Sequence, residues 1–153
     1  MLSPIWAGFA GEELDTFDVY DTCADSWRIV VPAPDPQHGS PGLRAVHGFV
    51  PFVSPNYPRA HALLYHGERS PSSLGHAGAG EFWDDIWLLE ATEGESELAW
   101  KYVPVLGDRP VPAPRGWFPS ASWERDGETK ILLYGGLLSS NERSDELWLL
   151  EVD

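Results

Sequence analysis

The sequence predicts an all-β protein, and three observations carry that prediction. Fourteen prolines and fifteen glycines in 153 residues are too many for a helical chain of this length and suit many short strands joined by turns. Short pieces rich in Val, Leu, Ile, Tyr, Phe and Trp recur throughout, each bounded by Gly, Pro, Asp or Ser. No stretch sustains a 3.6-residue apolar period, and the one short helical candidate lies around Gly11 to Asp15. With 42% hydrophobic residues the chain belongs among folded proteins, and its length suits one domain.

The strand-like pieces repeat in order. Leu14 to Asp21, Asp84 to Glu90 and Asp145 to Glu151 each have an apolar, aromatic centre and an acidic exit. Ahead of the last two come Ala62-Leu63-Leu64-Tyr65-His66-Gly67 and Ile131-Leu132-Leu133-Tyr134-Gly135-Gly136, with Ile5 to Phe9 as their N-terminal equivalent. A further strand precedes each of those two, Gly48 to Val53 and Phe118 to Trp123, and Asp126-Gly127 suits a hairpin reversal. Tryptophan strands close two units, Ser26 to Val31 and Leu98 to Val103. Four locally linked strands per unit is the pattern of a propeller blade. The units fall at about 1–35, 36–108 and 109–153. Their Ser/Gly-rich surplus, Ser70 to Gly80, lies between a second and a third strand.

On these residues the chain resembles the kelch-repeat β-propeller family. The C-terminal unit carries Pro114-Arg115, then Tyr134-Gly135-Gly136, then Asp145-Glu146-Leu147-Trp148. The middle unit carries Arg44 with His47 three residues on, but has His66-Gly67 where the family has a diglycine. Gly67 and Gly136 are 69 residues apart, against about 50 for a lean repeat of this kind. The resemblance implies a kelch-like β-propeller of roughly half a ring, with two partial blades, one full blade and about ten antiparallel strands. It also implies that Trp27, Trp87, Trp100 and Trp148 pack between blades, and that Arg44 and Arg115 make structural contacts between strands. A half-ring needs its other half, so the expected partner is a second copy forming a homodimer, or a second subunit, that completes the propeller; a longer parent chain is the alternative.

Charge narrows the partners. A formal net charge of −14, from 24 acidic against 10 basic residues, repels phosphate backbones and anionic membranes, so neither nucleic acid nor membrane is expected. Cys23 is the single cysteine, which points to a reducing compartment, and the expected location is the cytoplasm. Residues 1–6 lack the basic region of a signal peptide.

The chemistry is sparse. The five histidines, His38, His47, His61, His66 and His76, form no compact zinc motif, and no metal or cofactor is expected. Nothing around Cys23 fits the copper-radical oxidases found among kelch folds. The acid pairs Asp84-Asp85 and Asp145-Glu146 repeat at one structural position, which argues for turn hydrogen bonding over acid/base chemistry. Aromatic and basic residues of the loops, His47, Arg44, Tyr57, Arg59, His61, Arg115, Trp117 and Phe118, form the candidate ligand-binding set; His47, Arg44 and Arg115 are the candidate catalytic residues. The reading that follows is a kelch-type binding module for protein–protein interaction or assembly without catalysis. The alternative is a small-molecule-binding enzyme whose acid/base site forms in the propeller centre or between two copies.

Overall fold

The structure, a computed structural model, describes residues 2–93, 97–105 and 110–152. In chain order the strands are β1 (Leu2–Phe9), β2 (Glu13–Asp21), β3 (Ser26–Val30), β4 (Gly48–Pro51), β5 (Ala60–Tyr65), β6 (Glu68–Ser70) and β7 (Glu81–Phe82). They continue as β8 (Ile86–Ala91), β9 (Leu98–Tyr102), β10 (Arg115–Gly116), β11 (Ser120–Arg125), β12 (Glu128–Tyr134), β13 (Leu137–Leu138) and β14 (Leu147–Leu150). The described residues contain no α-helix, only a 3₁₀ turn at Gly75–Ala77, and the helical candidate at Gly11 to Asp15 instead enters β2. The side chain of His76 and the 108/109 unit boundary lie outside the described residues.

The strands form five antiparallel sheets: β1-β2-β3, β4-β5-β8-β9, β11-β12-β14 and the two-stranded β6-β7 and β10-β13. The four-stranded sheet is covered on both faces. Phe17 and Val19 of β2 pack on Ala62 and Leu64 of β5 and on Trp87, Leu89 and Trp100. Leu63 and Tyr65 of β5, with Val50 and Leu88, meet Ile131 and Leu133 of β12 on the other face. Because side chains alternate along a strand, β5 and β8 must be apolar at successive positions to be buried on both sides. That is why Ala62-Leu63-Leu64-Tyr65 and Trp87-Leu88-Leu89 read as continuous runs. Each fully buried Leu stabilises the stack by about 1.5–3 kcal/mol relative to exposure.

The outer sheets have one covered face each. Trp27 and Ile29 of β3 are 59% and 70% exposed, and Leu147 and Leu149 of β14 are also exposed. Trp87 and Trp100 are buried and Trp148 is half-buried in the core, whereas Trp27 is exposed and lies against Tyr20, with ring centroids 5.0 Å apart.

This arrangement corrects the propeller expectation. Among the described residues there are fourteen strands in five separate open sheets, none closed into a ring, and no propeller topology. The physical reason is that locally linked antiparallel strands with aromatic exits suit any meander sheet. Closure depends on how sheets pack against one another, which the local pattern does not encode. The surplus over ten strands lies in the two small sheets, made of two- and three-residue strands flanking the loops. With no ring present, a homodimer or second subunit completing one has no structural basis.

Candidate functional site

The two buried arginines anchor parallel constructions. Arg44, fully buried, donates from Nη1 to the His66 carbonyl (3.0 Å), and from Nη1 and Nη2 to the two carboxylate oxygens of Asp85 (2.8 and 2.9 Å); Nη2 also bonds the Pro41 carbonyl. The Trp87 indole donates to the same Asp85 (2.7 Å). Arg115, also fully buried, donates to the Gly135 carbonyl (2.9 Å) and to Glu146 (2.8 Å), which also accepts from the Trp148 indole (3.1 Å). Arginine, carbonyl, acid and tryptophan therefore recur at matching positions. The second acid of each pair serves the arginine, while Asp84 and Asp145 are exposed.

Left-handed backbone follows each second strand. His66 (φ 54°) stands where the last unit has Gly135 (φ 61°), and Gly67 (φ 103°) where it has Gly136 (φ 100°). A methyl on Gly67 would fall 2.5 Å from the His47 Cβ, so only glycine fits there. Burial pushes the His66 imidazole below its ordinary value; its bond to the Trp83 carbonyl opposes this, and the Arg115 charge adds to it.

Of the sequence-predicted residues, Arg44, His47, Arg115, Trp117 and Phe118 neighbour one another around Val46, Gly67 and Gly136, whereas Tyr57, Arg59 and His61 lie at the other end of β5. Arg44 and Arg115 are committed to the ion pairs above. Tyr57 is half-buried beneath the Lys101 ammonium, 4.7 Å from its ring centroid, and Arg59 is exposed, 3.9 Å from Glu93. His61 is exposed on β5. Phe118 stacks on Tyr65 with centroids 5.7 Å apart. His47 is half-buried against Gly67, and Trp117 is about half exposed. Nothing ties this placement to a kelch-type binding module, or to a catalytic site in a propeller centre or between copies. Among the described residues no three His, Cys, Asp or Glu side chains cluster as metal ligands.

A different group of residues is drawn together by segment 44–46. The Arg44 amide donates to the Leu14 carbonyl (3.0 Å), Ala45 exchanges both backbone bonds with Glu68 (2.9 and 2.8 Å), and the Trp117 amide donates to the Val46 carbonyl (3.1 Å). This stitching joins the ends of β2, β6 and β10, and with them Glu13, Glu68 and Trp117. Glu13 is 5% exposed, and its Oε1 has no hydrogen-bond partner among the described residues. Burial, and next the charge of Glu13, push the Glu68 carboxyl above the ordinary glutamate value; bonds from the Gly80 amide and the Trp117 side chain oppose them. Trp117 itself holds a left-handed φ of 59°, a strained conformation for an aromatic residue that its backbone bond sustains.

Two carboxylates are thus close enough to interact, and one has a buried oxygen with no donor among the described residues, an arrangement that a positively charged hydrogen-bond donor would satisfy. Sequence reasoning named Trp117 but missed both acids. A signal was present: the position after each left-handed glycine is Phe9, Glu68 and Leu137, so an acid replaces an apolar residue in the middle unit alone.

The chain matches no protein-family model. It is 32% identical over 104 residues to the aromatic O-demethylase reductase subunit of an Amycolatopsis species, covering 63% of this chain and 28% of that protein. It is 27% identical over 93 residues to the N-(sulfonatooxy)prop-2-enimidothioate sulfolyase of Thlaspi arvense, covering 61% of this chain and 25% of that protein. The chain thus spans about a quarter of the length of the curated relatives it matches.

Proposed function

We propose that this protein recognises an organic cation, an ammonium or guanidinium group, at the carboxylate pair Glu13 and Glu68 beside Trp117. The observation that carries the reading is the Glu13 Oε1, buried and without a donor among the described residues, beside a second carboxyl whose ionisation it opposes. A cation with N–H groups would supply the missing donor and neutralise both charges at once. The half-exposed Trp117 indole adds a face suited to cation–π contact. The net charge of −14 favours the approach of such a ligand. The two relatives carry different activities, a reductase subunit and a sulfolyase, so neither chemistry outweighs what the site itself supports.

The test is calorimetric titration with n-butylammonium, n-butylguanidinium and neutral n-butanol at pH 7. The cations bind and butanol does not, and Glu68→Gln weakens cation binding about tenfold or more, roughly 1.4 kcal/mol. Equal behaviour of cation and alcohol, or an unaffected Glu68→Gln protein, overturns the reading.

A further inference from the structure

A second site lies away from the acid pair, in the loop between β3 and β4 where it meets β9. Gln37, His38, Lys101, Tyr102 and Pro104, with Asp35, line a cavity of about 400 Å³. The loop is closed on itself: Asp35 and Gly39 exchange backbone bonds of 2.8 and 3.0 Å. Inside it, Asp35 Oδ1 accepts from the amides of Gln37 and His38, both at 2.9 Å, and lies 3.0 Å from His38 Nδ1. Asp35 Oδ2 accepts from the Tyr102 amide at 3.2 Å, which ties the loop to β9.

Burial alone would raise the Asp35 carboxyl, but these hydrogen bonds outweigh it and hold the group down at about 2. The carboxylate is therefore ionised above that value and can only accept. Nδ1 must then carry the proton, which leaves the lone pair of the neutral ring on Nε2. Rotation of the ring is restrained by stacking on Tyr102, with centroids 4.3 Å apart and planes at 26°. The imidazole remains 45% exposed at the cavity wall. Lys101 also lines the cavity, while its ammonium lies 3.6 Å from Glu90 and 4.7 Å over the Tyr57 ring centroid.

A carboxylate that fixes tautomer and orientation and an imidazole with its second nitrogen accessible are the parts of a general-base site. We propose that His38 acts as a general base toward activated acyl esters in this cavity, with Asp35 as its positioning residue. His38 Nε2 takes a proton from water as the water oxygen adds to the acyl carbon. The bond from that carbon to the leaving oxygen then breaks, and the imidazolium returns its proton to solvent. The products are a carboxylate and an alcohol or phenolate.

The test follows 4-nitrophenolate release from 4-nitrophenyl acetate at pH 8 by the whole chain. His38→Ala and His38→Gln slow the protein-dependent rate at least tenfold with circular dichroism unchanged, whereas His76→Ala, which removes a histidine outside the segments that line this cavity, leaves it as it was. Nitrogen-15 NMR of the histidine rings places the His38 proton on Nδ1, and Asp35→Asn abolishes that preference. A rate indifferent to both His38 substitutions, or a neutral ring protonated on Nε2, overturns the proposal.

Discussion

The guanidinium of Arg44 meets the carboxylate of Asp85 end-on, Nη1 to Oδ1 at 2.8 Å and Nη2 to Oδ2 at 2.9 Å. The arginine comes from the segment that joins β2 to β6, the aspartate from the entrance to β8, so the pair ties the acid site to the central sheet. Asp85 also receives the Trp87 indole, which fixes the tryptophan in the core. Asp85→Ala would leave a fully buried guanidinium without its carboxylate, held by the His66 and Pro41 carbonyls and lying over the Trp83 ring. Breaking a buried pair from one side costs about 3–5 kcal/mol, so thermal unfolding of Asp85→Ala should fall by roughly 10 °C or more. Glu146→Ala, at the matching position beside Arg115, should cost less, because Glu146 is about half exposed. Calorimetric midpoints of the two variants compare them directly.

Gly48 faces Tyr65 across the β4–β5 pair, and a methyl at Gly48 would overlap the phenol ring. Burial pushes the Tyr65 hydroxyl up to about 12, with a Ser120 hydrogen bond opposing it. Gly48→Ala should therefore destabilise by about 1–3 kcal/mol through overpacking. It should also move the Tyr65 titration down toward the ordinary tyrosine value as the ring is displaced, a change visible in ultraviolet difference spectra.

His66 is buried with its imidazole pushed below 6.5. Below that ordinary value, and down to the lowered folded one, the unfolded chain holds more protons than the folded chain. Stability is full above about 6.5 and falls as pH drops through that window, by no more than about 1.4 kcal/mol per pH unit from this group. His66→Asn keeps a side chain tolerant of φ 54° and removes the titration. Urea unfolding at pH 7.5 and 5.5 should show a smaller loss for the variant than for the unmodified protein.

Glu68 has the opposite sign, its carboxyl being raised by burial and by Glu13. Between about 4.5 and the raised value the folded chain holds more protons, so stability falls as pH rises through that window and stays reduced above it. Glu68→Gln should consequently raise the unfolding midpoint at pH 7 and leave it nearly unchanged at pH 4. A site that weakens the fold unless a cation is bound behaves in this way, and adding n-butylammonium should recover stability only in the unmodified protein.

Strands were legible wherever the pattern was local. Asp126-Gly127 reverses a hairpin with φ of 57° and 79°, joining Arg125 to its register partner Glu128. Ala62 to Tyr65 and Trp87 to Leu89 announced burial by unbroken apolar sequence. Structural contacts for Arg44 and Arg115 follow from the kelch resemblance alone, and the same arginines are candidates for chemistry in the sequence; the structure commits each buried guanidinium to an ion pair. What failed was long-range. Open stacking and ring closure place the same apolar residues on the same strand faces, so the propeller reading had no local contradiction. Glu13 and Glu68 come together only through single bridges, Leu14 to Arg44 and Ala45 to Glu68, between segments with no shared period. The Asp35–His38 contact arises from a closed loop in a long connection and leaves only Asp, Pro and Gly turn residues as its sequence trace.

Cation recognition between Glu13, Glu68 and Trp117 would be visible at the Trp117 indole proton. In nitrogen-15 spectra, with the resonance assigned by Trp117→Phe, titration with n-butylammonium at pH 7 should shift that signal saturably as the cation competes for Glu68. The shift should vanish in Glu68→Gln and with n-butanol. A Trp117 signal unmoved by the ammonium while the protein stays folded would contradict the account.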